Sequence, residues 1–225
     1  MKKSNSKQKA QGAFKKLGAV ALITADTTVS MSFEPNPVEG GAVLILSPDH
    51  LNIKVAANTE DGSDITVEGC TETRLASDTK TTLHARGTTV ILKGKITELD
   101  VSGTYANKQT LTALNVQGLT SLQKLYCYHN QLTELNVQGR ASLKELDCYR
   151  NKLNAQAMTE LLNALPARTA GDDAEATLYT EKTGEVEGNC KDYTQPAELK
   201  AAFEDAKSRK WQLMKVDASG NWEDI

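Results

Sequence analysis

Residues 111–131 read LTALNVQGLTSLQKLYCYHNQ, and residues 132–152 read LTELNVQGRASLKELDCYRNK. Thirteen of the 21 aligned positions are identical, so the two segments form an internal repeat with a period of 21 residues. A period of about 20–29 residues with regularly spaced leucines predicts a solenoid, in which each unit buries its apolar edge against the next unit. The repeat therefore predicts an architecture, but it carries no chemistry of its own.

Each repeat contains two segments with strand character, Leu-x-x-Leu-x-Cys-x-x-Asn and Leu-x-x-Leu-x-Val-x-Gly. Because side chains alternate between the two faces of a strand, the repeated apolar positions are expected to point inward. We expect the asparagines to lie at turns and to satisfy backbone groups of neighbouring repeats, and Gly118 and Gly139 to adopt positive φ angles. The predicted repeat core comprises Leu114, Val116, Leu122, Leu125, Cys127, Asn130, Leu135, Val137, Leu143, Leu146, Cys148 and Asn151.

The flanks of the repeats are predicted to close the ends of the solenoid. Residues 89–103 are interpreted as a partial first repeat, in which Ile96, Leu99, Val101 and Gly103 align with Leu132, Leu135, Val137 and Gly139. Residues 17–88 show period-2 alternation or short apolar runs at 27–33, 42–46, 51–56 and 65–67, which predicts a β-rich cap or domain. The remaining residues 1–16 are predicted to be a flexible basic leader.

The C-terminal residues 154–225 predict an α/β cap. A helix is expected to begin at the N-cap Asn154 and to end before Pro166, and a second is expected between the cap Thr194 and about residue 208. Strands are predicted at 176–180 and 211–216. The predicted fold class is therefore α/β: a short leucine-rich repeat solenoid of two full and one partial 21-residue repeats (89–153), with an N-terminal β cap and a C-terminal α/β cap.

Composition excludes several classes of function. The chain has 225 residues, a net charge of −3 and a pI of about 5.7, which argues against a nucleic-acid-binding protein. No segment approaches the roughly 18–20 apolar residues of a membrane span. The first 16 residues contain six lysines and no acidic residue. They are interpreted as a solvated leader or, alternatively, as part of a signal peptide in which Lys15-Lys16 precede the short apolar run 18–25.

The repeats resemble the bacterial class of leucine-rich repeats with the pattern Leu-x-x-Leu-x-Cys-x-x-Asn-x-Leu, found in surface proteins of the Treponema, Porphyromonas and Bacteroides type and similar to internalin-like adhesins. The resemblance covers residues 89–153, and the segment 151–166 resembles the C-terminal cap of that family, as does Glu187-Gly-Asn-Cys190. It implies a protein that is secreted or displayed at the cell surface, that binds a host or bacterial protein, and that has no catalytic activity.

The outward side of the predicted repeat strands is the main candidate site. It presents Tyr126, Tyr128, His129, Asp147, Tyr149 and Arg150, and tyrosine and arginine are common anchors of protein interfaces. The alternative is that these residues pack across strands on a solvated sheet, where tyrosine is a good strand former. A second set, Asp100, Ser102, Asn115, Gln117, Asn136 and Gln138, is predicted to form a polar column on the opposite face.

No catalytic, metal or cofactor site is predicted. The chain contains no G-x-G-x-x-G, P-loop or H-E-x-x-H motif, and no serine or cysteine has a base and an orienting group nearby in sequence. The four cysteines, Cys70, Cys127, Cys148 and Cys190, form no C-x-x-C pair and are expected to be free thiols. Six carboxylates between residues 172 and 187 lack the spacing of a calcium loop and are interpreted as a solvated acidic stretch.

Two functions remain open on the sequence alone. The first is a non-enzymatic leucine-rich repeat protein that mediates protein–protein interaction or adhesion through the tyrosine-bearing strands. The second is a structural spacer or scaffold, with recognition carried by the N-terminal β region 17–88.

Overall fold

The computed structural model describes residues 35–103 and 111–225, and the predicted leader and the predicted strand at 27–33 lie outside this part of the chain. The described residues form a mixed α/β fold, in which most elements are strands of two sheets and two are α-helices.

The first sheet has five antiparallel strands in the order β4-β3-β6-β1-β8. The apolar run predicted at 42–46 becomes β1, and five of its six residues are buried because both of its edges are paired. The strands are β1 (Gly41–Leu46), β3 (Ile65–Glu68), β4 (Arg74–Leu75), β6 (Thr89–Lys93) and β8 (Leu111–Asn115).

The second sheet has eight strands in the order β13-β12-β11-β10-β9-β7-β2-β5. Its centre is a parallel ladder of β7, β9, β10, β11 and β12, in which Leu99, Leu125 and Leu146 lie side by side in register. Each 21-residue unit thus adds one parallel strand to this sheet. The strands are β2 (Asn52–Thr59), β5 (Thr81–His84), β7 (Ile96–Asp100), β9 (Lys124–Tyr126), β10 (Glu145–Asp147), β11 (Glu175–Thr180), β12 (Gln212–Val216) and β13 (Trp222–Asp224).

The predicted alignment of residues 89–103 is wrong, because it matches them to the wrong one of the two segments of the repeat. Leu99 pairs with Leu125 and Asp100 with Tyr126, so β7 corresponds to the cysteine-bearing segment of the repeat and not to the segment that contains Leu135. The residue at the position of Cys127 is therefore Val101, which the sequence alignment had matched to Val137. Both segments share the pattern Leu-x-x-Leu-x-apolar, so spacing alone does not distinguish them.

Within the described residues, one hydrophobic core includes side chains from the regions 17–88, 89–153 and 154–225. β1 pairs with β6 and β8, and β2 pairs with β7, so strands before residue 88 are hydrogen-bonded to strands after it. All twelve residues predicted as repeat core are buried. The N-terminal strands therefore share their packing with the repeats.

The two helices lie in the C-terminal region, as predicted. Helix α1 (Ala155–Ala164) begins at Asn154, whose side chain accepts a hydrogen bond of 2.9 Å from Ala157 N. Helix α2 (Ala197–Ser208) has Pro196 as its N-cap residue, so the predicted capping role of Thr194 is wrong. The Thr194 hydroxyl instead donates to Asp192 in the preceding turn.

Buried asparagines connect successive parallel strands, as the sequence predicts. Asn151 Oδ1 accepts from Leu132 N at 3.0 Å, and its amide donates to the carbonyl oxygens of Cys127 and Cys148 at 3.0 and 2.8 Å. Asn130 makes the equivalent bonds one strand earlier. Asn189, outside the repeat, continues the ladder by accepting from Leu153 N and donating to Cys148 O.

The two repeat glycines have different roles. Gly139 adopts the predicted positive φ of 75°. Gly118 is not among the residues with positive φ, and a Cβ atom there would lie 1.8 Å from Val38 O. It is required because backbone from the start of β1 approaches it closely.

All four thiols are free, and Cys127 and Cys148, which directly follow β9 and β10, are fully buried. Burial raises the pKa of both thiols well above the ordinary value. They therefore act as small apolar side chains of the core.

Candidate functional site

The outward face of β7, β9, β10 and β11 carries three rows of side chains across the strands. The first row contains Glu98, Lys124, Glu145 and Glu175, and the second contains Asp100, Tyr126, Asp147 and Thr177. A third row, two residues further along, contains Tyr128 and Tyr149. We call these three rows the tyrosine face.

Tyr128 and Tyr149 form a parallel stack in the third row. Their ring centroids are 4.7 Å apart and their planes differ by 4°. The ring of His129 meets both tyrosines edge-on, at centroid distances of 5.5 and 5.7 Å. Neighbouring parallel strands place equivalent residues about 4.8 Å apart, so a tyrosine repeated every 21 residues produces this stack directly.

His129 and Arg150 are buried, which corrects the prediction that they lie on the outward face. Both residues have positive φ angles, of 58° and 56°, at the turn that follows their strands. Arg150 Nη1 lies 3.0 Å from Glu185 Oε2 and 3.4 Å from His129 Nε2. The turn therefore brings both side chains against the loop that contains Glu185, and His129 lines the same groove as Tyr128 and Tyr149.

The acidic stretch before Asn189 is not simply solvated, because two of its carboxylates have structural roles. Glu185 pairs with Arg150, and its side chain is only 10% exposed. The Glu187 carboxylate accepts hydrogen bonds from the backbone N–H groups of Arg150, Thr180, Gly188 and Asn189. Burial raises the pKa of Glu187, and these four donors oppose that rise.

Tyr126 is partly buried and is held within the face. Its hydroxyl donates to Glu145, whose other carboxylate oxygen lies 2.7 Å from Lys124 Nζ. Burial, followed by the bond to Glu145, raises the pKa of the Tyr126 hydroxyl far above its ordinary value. Tyr126 is therefore a neutral donor under all ordinary conditions.

Asp147 is the most perturbed carboxylate of the face. Burial, together with the charges of Glu145 and Glu175, raises the pKa of Asp147 from 3.8 to about 6, although a hydrogen bond with Thr177 opposes the rise. The pKa of Glu175 is also raised, chiefly by burial and then by Glu145. Burial is thus the main cause of both shifts, and the neighbouring carboxylates add to it.

We expect Asp147→Asn to stabilise the protein at pH 8 and to have little effect near pH 4. Below about pH 4 the carboxyl is protonated in both the folded and unfolded chains. Between about pH 4 and pH 6 only the unfolded chain loses the proton, so the cost of burying the charge develops over this range and is complete above it. A pKa of about 6 against 3.8 corresponds to about 3 kcal/mol at most, and partial solvent screening reduces the expected gain to about 1–2 kcal/mol.

Urea unfolding of the Asp147→Asn variant at several pH values measures this gain. The control is Asp217→Asn, since hydrogen bonds from Asn221 lower the pKa of Asp217 and its contribution should have the opposite pH dependence. Equal effects of Asp147→Asn at pH 4 and pH 8 would contradict the expected charge burial.

The predicted polar column is divided between the two sheets. Asp100 lies on the tyrosine face, where Lys80 Nζ is 2.9 Å from its carboxylate. Asn115 and Asn136 accept from the backbone N–H groups of Gln117 and Gln138, at 2.8 and 2.9 Å, and thereby close turns of the repeat. Their side-chain oxygens therefore have a structural role in the fold.

Trp222 extends the aromatic surface, although it is not among the residues predicted for the site. Its side chain is 62% exposed on β13, and it lines a groove of about 280 Å³ together with Tyr128, Tyr149 and Val216. The sequence feature that could have indicated Trp222 is its position directly after the turn Ser219-Gly220-Asn221. Its proximity to the repeats depends on β13 folding back onto β12, which the sequence pattern does not indicate.

Within residues 35–103 and 111–225, no cluster of three or more His, Cys, Asp or Glu side chains has the arrangement of a metal site. The same part of the chain contains no helix long and apolar enough to span a membrane.

Comparisons with models of known protein families, with curated proteins and with solved structures found no match to this chain.

Proposed function

We propose that this protein is a short leucine-rich repeat solenoid that acts as a non-enzymatic protein-binding module at a bacterial cell surface or after secretion. The observation that carries the proposal is the Tyr128–Tyr149 stack, which shares a groove with the exposed Trp222. Tyr128 and Tyr149 are half-buried and Trp222 is exposed. Tyrosine and tryptophan side chains supply much of the binding energy in protein interfaces, because they bury a large apolar area and lose little side-chain entropy.

The repeat geometry supports the solenoid part of the proposal. Repeat-equivalent residues pair in register between β9 and β10, and buried asparagines bond the backbones of successive strands. Backbone hydrogen bonds continue past β9 and β10, from Gly103 N to Tyr128 O and from His129 N to Tyr149 O, and hold the backbone of both tyrosines in place. Binding therefore requires little ordering of these residues.

The experiment is capture of surface and extracellular-matrix proteins by the full chain and by a variant carrying Tyr128→Ser, Tyr149→Ser and Trp222→Ser. A matched control carries Gln117→Ser and Gln138→Ser, which alter polar side chains away from the tyrosine face. We expect the aromatic variant to lose at least tenfold in affinity for a purified partner, while the control retains it.

Retention of the same partner by the aromatic variant, with an unchanged melting temperature, would contradict binding through the tyrosine face. It would favour recognition by the N-terminal strands instead. Fractionation of the source cells, followed by immunodetection of the chain, tests the proposed location separately.

A further inference from the structure

We propose that the tyrosine face binds an extended, lysine- and arginine-rich segment of a protein partner. This inference rests on the proposed protein-binding function and specifies the chemistry of the partner.

The charge of the face is the first argument. Its first two rows contain five carboxylates, those of Glu98, Asp100, Glu145, Asp147 and Glu175. Lys124 pairs with Glu145 and Lys80 with Asp100. Among the described residues, Glu98, Asp147 and Glu175 have no lysine or arginine within ion-pair distance, and Lys124 acts on Glu98 and Glu175 only from beyond that distance. A cationic segment supplies the missing counter-charge.

The arrangement of the aromatic rings is the second, independent argument. The stacked Tyr128 and Tyr149 lie one row beyond Tyr126 and Asp147, so rings and carboxylates alternate on one surface. A guanidinium or ammonium group is attracted to the face of an aromatic ring and at the same time to an adjacent carboxylate. An anionic or purely apolar ligand would use only one of these two features.

The dimensions of the face fit a short extended peptide. Four adjacent strands span roughly 14 Å at about 4.8 Å per strand, which is the length of about four or five residues of extended chain. The same carboxylates repel nucleic acids and anionic lipid surfaces, because those ligands would bring phosphate groups against them. The charge pattern therefore selects a basic peptide among the macromolecular ligands.

The test is fluorescence anisotropy with a labelled decapeptide of alternating arginine and serine, titrated with the full chain at low and at physiological salt. A decapeptide of alternating glutamate and serine is the control probe. The site variant carries Glu98→Gln, Asp147→Asn and Glu175→Gln. The control variant carries Glu160→Gln, Glu198→Gln and Glu204→Gln on the exposed sides of α1 and α2, and therefore has the same net charge.

We expect the arginine peptide to bind and the glutamate peptide not to bind. The site variant should lose at least tenfold in affinity, the control variant less than twofold, and affinity should fall as salt is raised. Absence of binding, or equal losses in the two variants, would overturn the proposal. If the aromatic variant loses a protein partner that the site variant retains, this inference fails while the proposed function stands. If both variants retain that partner, the inference and the proposed function both fail.

Discussion

Asn151→Ala is expected to lower the free energy of unfolding by about 3–4 kcal/mol. The substitution leaves the buried Leu132 N without its acceptor. It also removes one of two amide donors to Cys127 O and to Cys148 O, which keep their bonds from Asn130 and Asn189, and each of these two lost bonds contributes about 0.5–1.5 kcal/mol. A buried backbone group that loses its partner costs about 1–3 kcal/mol. The loss is a large fraction of the total stability of a protein of this size, which is about 5–15 kcal/mol.

Urea unfolding followed by the fluorescence of the buried Trp211 measures this loss, and two other asparagines provide controls. Asn154→Ala removes only one cap bond of α1 and should cost about 1 kcal/mol. Asn163→Ala alters an exposed position of the same helix and should change stability by less than about 0.5 kcal/mol. A loss below 1 kcal/mol for Asn151→Ala would mean that the ladder contributes little.

Gly118→Ala is expected to destabilise the protein by about 3 kcal/mol or more. The added methyl group would lie 1.8 Å from Val38 O and 2.5 Å from Gly41 O, and neither is part of a side chain that could move aside. Relief of the overlap requires the start of β1 to move away from the repeats, which disturbs a strand paired on both edges.

The repeat-equivalent substitution Gly139→Ala is the matched control. Nothing lies within 4 Å of its added Cβ, so only the φ angle of 75° opposes the change, and the cost should be about 1 kcal/mol. Thermal unfolding of both variants by circular dichroism provides the comparison. Equal shifts in the melting temperature would show that β1 does not approach Gly118 as closely as the structure indicates.

Local periodicity was sufficient to predict most strands, both helices and the buried repeat core. The apolar run at β1, the spacing of Leu125 and Cys127, and the cap at Asn154 are each read from a few consecutive residues. These features are predictable because burial of alternating side chains and capping of a helix depend on near neighbours in the chain.

The candidate site was only partly predictable. The stacking of Tyr128 on Tyr149 follows from the repeat, since residues 21 apart occupy neighbouring strands. The burial of His129 and Arg150 does not follow from it, because it depends on positive φ angles at the turn and on Glu185, some 35 residues beyond Arg150. Trp222 joins the surface only through the pairing of β13 with β12.

The sequence by itself determined the repeat, its buried leucines and cysteines, and the role of Asn130 and Asn151 in joining neighbouring strands, because all of these are encoded by a local pattern that recurs after 21 residues. Only the tertiary structure decided that β7 belongs to the ladder of Leu125 and Leu146, and that backbone near Val38 requires a glycine at position 118. These features depend on contacts between segments far apart in the chain, and such contacts leave no periodic signal in either segment.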